Sequence, residues 1–469
     1  MPRSSSHKKP AAQEDPGNVA FPQQFRPGFL WGVSTAAHQV EGSNHNNQWS
    51  DWEAAGHIRS GDRSGQACDW WNNAERDFDL AQEMGLNALR LSVEWSRVER
   101  RRDHWDGTAF RRYRIMLSAL RQRNIQPMVC LHHFTHPRWF EQEGAFLAPD
   151  AADRFELFTR RVVAELGDLC QHWVTFNEPN VYAALGYVLG EFPPGRRGEI
   201  VTAVRVVNRI AACHGRAFHA IHELQPHGAQ VGWAHNYVVF EPANRAFAPD
   251  RWIAALLRQL FNETFLSLMQ HGRLSFPFNF ATPNLKEVKD TCDFVGLNVY
   301  SRFHVAFSLK HASQLFGNVF VPPHVPQGDC GVEKPYGEAY PEAVREAVQS
   351  VARLGKPIYI LENGVPDADD RIRPWLMVNA ISALHRTVTE GHDIRGYFHW
   401  TLTDNFEWTE GWRLRFGLVA LDPTTQRRTM RDSGRLYSAI RQANGISSEM
   451  AEKFCSPSAQ PERQTLTNK

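Results

Sequence analysis

Short, nearly continuous apolar runs recur along the chain, separated by segments in which apolar residues return at helical spacing. Eight such runs stand out, at 28–35, 88–95, 127–134, 173–177, 230–236, 294–300, 357–362 and 395–402. A parallel strand covered by helices on both faces reads this way, whereas a half-solvated antiparallel strand alternates. Between the runs, 73–84 carries Phe78, Leu80, Ala81 and Met84 and stops at Gly85, and 155–166 and 374–389 end at or before Gly167 and Gly391; these are amphipathic helices with their usual stop residues. The alternation predicts an α/β chain, a (β/α)8 TIM barrel forming one domain with long βα loops. The stretch 303–340, rich in Pro, Gly and His, reads as the long loop after the sixth strand.

In such a barrel the working side chains sit at the carboxyl ends of the strands. Those ends, or the positions just after them, hold Gln39, Glu94 with Trp95, His133, Asn177 with Glu178, Asn236, Asn298 with Tyr300, Glu362, and Trp400. The pattern therefore predicts one pocket lined with carboxylates, amides and indoles. Two of the glutamates, Glu178 and Glu362, suit the cleavage of a sugar linkage, which needs an acid on the leaving oxygen and a carboxylate on the opposite side of the ring.

Length and composition fit this layout. The 469 residues exceed a typical barrel by an amount that loops and tails absorb, so the expected division is a tail over 1–24, a glycosidase domain over 25–446, and a second tail over 447–469. A chain with 15 Trp and 29 Phe has aromatic residues to spare for a sugar site. The formal net charge is +1 and the one basic block, Arg100-Arg101-Arg102, reads as a solvated loop, so nucleic acid is not an expected partner. The seven cysteines are scattered and odd in number, which argues against a disulfide framework and a structural zinc. No leader-like or membrane-length apolar segment is apparent, and the expected location is cytoplasmic with no membrane partner.

A set of motifs, in order, carries a resemblance. They are Phe29-Leu30-Trp31-Gly32, Gln39-Val40-Glu41-Gly42, Arg90-Leu91-Ser92, Glu94-Trp95-Ser96-Arg97, His133-Phe134, Asn177-Glu178-Pro179, Asn298-Val299-Tyr300, Glu362-Asn363-Gly364, and the run Trp400 to Trp408. From about 29 to 437 the chain resembles the family 1 glycoside hydrolases, the β-glucosidase and β-galactosidase group. The resemblance implies Glu178 as the acid and Glu362 as the nucleophile, held charged by Arg90 and Tyr300, with Asn177 on the sugar 2-hydroxyl. It implies glycon contacts from Gln39, His133, Glu407 and Trp408, Asn298 close to the site, and Trp400 as the platform under the ring. The implied activity is a retaining, exo-acting β-glycosidase on a small β-glycoside or oligosaccharide, with glucose the first-choice glycon and galactose or fucose further ones. No cofactor or metal is implied, and the oligomeric state is left open. Transglycosylation at the same site is one alternative; a catalytically silent sugar-binding barrel is another, against which the presence of both glutamates, Arg90 and Tyr300 speaks.

Departures from the family pattern are informative. The usual leaving-group tryptophan, in a Trp-Glu-Ile-Tyr-Pro pattern, is replaced in Gly337-Glu338-Ala339-Tyr340-Pro341, with Tyr336 and Trp252 as candidate substitutes. Phe134 and Thr135 stand where tryptophan and aspartate are common. A carboxylate at 407 would repel a 6-phosphate, and the intact Glu178 sets the chain apart from the thioglucosidase branch. The blander readings also count. His132 and His133 should face opposite sides of a strand, which disfavours a metal site with His136. Trp31, Trp95 and Trp173 read as barrel filling, Glu41 and Glu94 as possible partners of buried arginines, and Asn236 and Asn298 as supporting hydrogen-bonders; Trp412 reads as a rim contact.

Overall fold

The eight apolar runs form eight strands: β1 (Leu30–Ser34), β2 (Ala88–Ser92), β3 (Gln126–His132), β4 (His172–Asn177), β5 (Gln230–Pro242), β6 (Val295–Phe307), β7 (Ile358–Asn363) and β8 (Ile394–Trp400). The structure, a computed structural model, describes residues 20–276, 278, 285–330, 336–456 and 459–461. Each strand pairs in parallel with the next, β8 pairs with β1, and the sheet closes as the expected (β/α)8 barrel. The helices Trp70–Glu83, Ala151–Leu166 and Arg373–Thr389 cover the three helical segments read from the sequence.

Two apolar layers hold the barrel. One is formed by Ala88, Met128, Cys130, Val174, Ala234, Phe294, Tyr359, Leu361 and Phe398, which fill the lumen from alternate strand positions. The other lies between strands and helices, and it contains Trp31, Trp95 and Trp173. These tryptophans are buried as expected, but outside the lumen: Trp95 stacks on Phe158 of the helix Ala151–Leu166 at 4.7 Å between ring centroids.

Three expectations about chain organisation change. The segment after β6 is not all loop, because β6 runs on to Phe307 and turns back to pair antiparallel with a strand at Gly317–Phe320. Val305, buried in this extension, supplies the apolar contact that holds it. The tail boundary at 24 falls inside the fold, since Gln23–Gln24 pairs with Gly445–Ile446; residues 1–19 of that expected tail lie outside the described residues. The expected tail from 447 begins with a helix, Ser448–Phe454. The Ser447 side chain caps it by accepting from the Met450 N–H at 3.2 Å, Ala451 is buried, and Asn379 Nδ2 donates to the Phe454 carbonyl at 2.8 Å. Among the described residues no helix is long and apolar enough to cross a membrane, and no cluster of three or more His, Cys, Asp or Glu suits a metal ion.

Candidate active site

The strand ladders slip where the two key glutamates emerge. Register shifts occur between Val174 and Asn177 on the β4–β5 edge, between Ile360 and Glu362 on the β6–β7 edge, and between Ile360 and Asn363 on the β7–β8 edge. A bulge breaks the two-residue alternation and re-aims side chains, a common device beside active sites. Here it lets Val174 and Asn177 both serve the interior, while Thr175 bonds His214 of the outer helix Ile200–Leu224 and Phe176 packs on Phe155 of the helix Ala151–Leu166. Glu178 follows in the left-handed region at φ 48°, a strained conformation for a side chain with a Cβ, and leads into the helix Pro179–Ala183.

Glu362 is held from two sides. Arg90 of β2 donates to its Oε1 and the Tyr300 hydroxyl of β6 donates to its Oε2. Glu178 receives neutral donors instead: Asn236 Nδ2 and Asn298 Nδ2 both reach its Oε1 at 2.8 Å. Asn298 also donates to Asn177 Oδ1 at 3.0 Å, and Asn177 Nδ2 lies 3.2 Å from His133 Nε2, so one amide-imidazole chain spans three strand ends. On the other side Gln39 Nε2 donates to Glu407 Oε2 at 3.2 Å, and the His133 ring stacks between Trp400 and Trp408 at centroid distances of 6.0 and 5.8 Å. All these residues are buried. Gln39 Oε1 and His133 Nδ1 are buried with no hydrogen-bond partner in the protein, and polar groups left so are costly unless a ligand meets them.

The surroundings divide the carboxyl groups by charge. Burial, then the negative charge of Glu362, pushes Glu178 up to about 8. The same two causes push Glu407 up to about 8. Burial also raises Glu362, but the Arg90 charge and the hydrogen bonds from Tyr300 and Arg90 act against it. The surroundings therefore favour charge on Glu362 and a proton on Glu178 and Glu407. The repulsion of a phosphate expected from Glu407 is correspondingly weaker than a charged side chain would give. His133 is driven well below its ordinary range by burial and by Arg90, and stays neutral.

The family model described as "Glycosyl hydrolase family 1" matches residues 21–446. The chain belongs to this family. Curated relatives of this family 1 glycosidase include beta-glucosidase A of Thermotoga maritima, 31% identical with 90% of this chain and 99% of the relative covered. Another is a beta-galactosidase of Sulfolobus acidocaldarius, 29% identical over 94% and 99%. Among solved structures, a family 1 b-glucosidase from Thermotoga maritima superposes with a TM-score of 0.85 at 30% identity, covering 91% of this chain and 99% of that one. A beta-glycosidase from Pyrococcus horikoshii gives 0.82 at 32% identity, covering 94% and 100%.

Within this family 1 enzyme the structure brings together Glu178, Glu362, Arg90, Tyr300, Asn177, Gln39, His133, Asn298, Trp400, Glu407 and Trp408 around one pocket. Of the ambiguous glutamates, Glu41 pairs with Arg97 at 2.6 Å, while Glu94 accepts from Ser96 Oγ at 2.7 Å and Thr135 Oγ1 at 2.8 Å. His132 turns away from the pocket, toward Phe146 and Tyr182. Sequence reasoning passed over the supports. Asn180 Nδ2 holds the Asn236 carbonyl at 2.8 Å, and Asn363 is clamped between the Val299 carbonyl at 2.6 Å and the Tyr397 hydroxyl at 2.8 Å. Both lie within the quoted motifs or two residues from Glu178; their buried amide character was the available signal.

Proposed function

We propose that this family 1 enzyme is a retaining, exo-acting β-glycosidase that removes terminal β-D-glucosyl groups, with β-D-galactosides and fucosides as further substrates. The observation that carries the reading is the unequal environment of the two glutamates: Glu362 faces a guanidinium and a phenol, and Glu178 faces two neutral amides. That is the division double displacement needs. Glu362 attacks the anomeric carbon as Glu178 passes its proton to the departing glycosidic oxygen, so the C–O bond to the leaving group breaks as a glycosyl ester forms. Esterification cancels the charge on Glu362 and with it the repulsion that, added to burial, raised Glu178, which then ionises and takes a proton from the incoming water. Water attacks the same carbon, frees Glu362, and restores the starting anomeric configuration.

Asn177, held by Asn298 and His133, is suited to hydrogen-bond the 2-hydroxyl, an interaction that strengthens in the oxocarbenium-like transition state. The unpartnered Gln39 Oε1 and His133 Nδ1, with Glu407 beside Gln39, suit the remaining glycon hydroxyls, and the Trp400 indole suits the apolar face of a pyranose. Support for a site that tolerates both gluco and galacto epimers comes from the Thermotoga maritima beta-glucosidase, whose structures include complexes with glucoimidazole and with galacto-hydroximolactam. The test is incubation with 2-deoxy-2-fluoro-β-D-glucosyl fluoride followed by peptide mapping. The expected result is one glycosyl group on Glu362; labelling of a different residue, or a first-formed α-anomer in proton NMR of a turned-over β-glucoside, would overturn the reading.

A further inference from the structure

The two aromatic residues that could replace the missing leaving-group tryptophan are separated by the structure. Trp252 lies on the helix Ala248–Arg258 with 71% of its surface exposed. Tyr336 is half-buried, and its ring meets Tyr300 edge-on at 5.7 Å and Phe416 at 5.1 Å. It thus packs directly on the phenol that holds Glu362. Burial first, and then the neighbouring carboxyl groups, among them Glu362, keep its hydroxyl protonated and able to donate.

The backbone next to it leaves no room for a side chain at 337. Gly337 sits at φ +113°, and a Cβ there would lie 2.1 Å from the Ser301 Cβ, so the position admits glycine alone. The segment is fixed on its other side. Glu338 and Arg302 exchange backbone hydrogen bonds of 3.2 and 2.9 Å, and the Arg302 guanidinium donates to both Glu338 carboxylate oxygens at 2.8 and 2.6 Å. A bidentate pair of this kind holds the loop in one register. Burial separates the two groups: Gln39, His133, Glu407, Trp400 and Trp408 are at most 6% exposed, whereas Tyr336, packed on Tyr300, is only partly buried.

We propose that Tyr336 contacts the leaving group, its ring walling and its hydroxyl hydrogen-bonding the first pyranose beyond the scissile bond. This deepens the glycosidase reading and rests on it. The test compares substrates that share a glycon but differ in what departs: cellobiose, whose leaving group is a pyranose, and β-D-glucosyl fluoride, whose leaving group offers no ring. Lactose and β-D-galactosyl fluoride form the matching galacto pair. Tyr336→Ala is expected to lower kcat/KM for the disaccharides roughly tenfold, about the value of one buried aromatic contact, and to leave the fluorides within about twofold. Tyr336→Phe keeps the ring and should lose a smaller part of the disaccharide activity, so it carries the same comparison if the alanine variant does not fold. Equal losses on disaccharide and fluoride would make Tyr336 a support for Tyr300 and overturn the proposal, as would unchanged kinetics on both. Turnover of the fluorides by the wild-type protein separately tests the glycosidase reading, since failure there leaves no reaction for Tyr336 to direct.

Discussion

The Tyr300 hydroxyl, on β6, donates to Oε2 of Glu362 on β7, while Arg90 takes the other oxygen. The phenol is therefore one of the groups that hold down the Glu362 pKa against burial. Tyr300→Phe should remove that restraint, so Glu362 protonates at higher pH and the acidic limb of kcat/KM moves upward. The same donor also orients the Glu362 carboxylate, and its loss should lower kcat roughly 10²-fold, the scale of one preorganised hydrogen bond at a reacting group. A pH–rate profile with an aryl β-glucoside checks both; an unmoved acidic limb would show that Tyr300 does not tune Glu362.

The alkaline limb belongs to Glu178. As the acid it must hold its proton, and burial with the Glu362 charge raises its pKa to about 8. Activity measured as kcat/KM should consequently fall as pH rises through about 8. Glu178→Gln should abolish that limb and split substrates by leaving group: a dinitrophenyl glucoside, which departs without protonation, keeps its glycosylation step, whereas cellobiose turnover drops by about 10³-fold or more. An alkaline limb that persists in the glutamine variant would assign it to another group.

How far the chain could be read follows from what each feature depends on. The barrel was legible because each strand must bury both faces, which writes the apolar runs into the sequence. Glu178 and Glu362 were legible from their motifs. What two-residue alternation could not supply was the slip at Val174 to Asn177 that brings Asn177 inward, because a bulge arises from pairing with β5 and leaves no local mark. The tryptophans were recognisable as core, yet only packing shows that Trp31 and Trp173 face helices and not the lumen. The polar composition after 447 read as a tail, and the short helix there depends on long-range contacts such as Asn379 with Phe454. Likewise the upward push on the Glu407 pKa comes from burial and the nearby Glu362, features that local sequence does not show.

That C-terminal helix should contribute to stability. Removing the chain after Ile446 deletes the Ser447 cap, the buried Ala451 and the acceptor of Asn379, leaving apolar surface of the helix Arg373–Thr389 uncovered. The truncated protein should melt several degrees lower than the full chain in calorimetry. Ser447→Ala alone should cost about 1 kcal/mol, the usual value of a helix cap. Identical melting curves for the truncated and full chains would mean that the helix adds nothing to the fold.

Glu407 offers a test of pocket electrostatics that needs no substrate. Its folded-state pKa is raised to about 8 from the ordinary 4.5 by burial and by Glu362. Between those values the folded protein keeps a proton that the unfolded chain has released, so this residue's contribution to stability, full below about 4.5, is lost as pH rises to about 8. The slope is at most about 1.4 kcal/mol per pH unit for one group. Glu407→Gln mimics the protonated side chain, can still accept from Gln39 through its amide oxygen, and has nothing to ionise. Its melting temperature relative to wild type should therefore rise steadily from pH 5 to pH 8 and level off above, as wild type pays an increasing cost for the proton it retains. Parallel melting temperatures across that range would show that Glu407 is ionised in the folded protein, and the phosphate repulsion expected from a charged side chain at 407 would be restored.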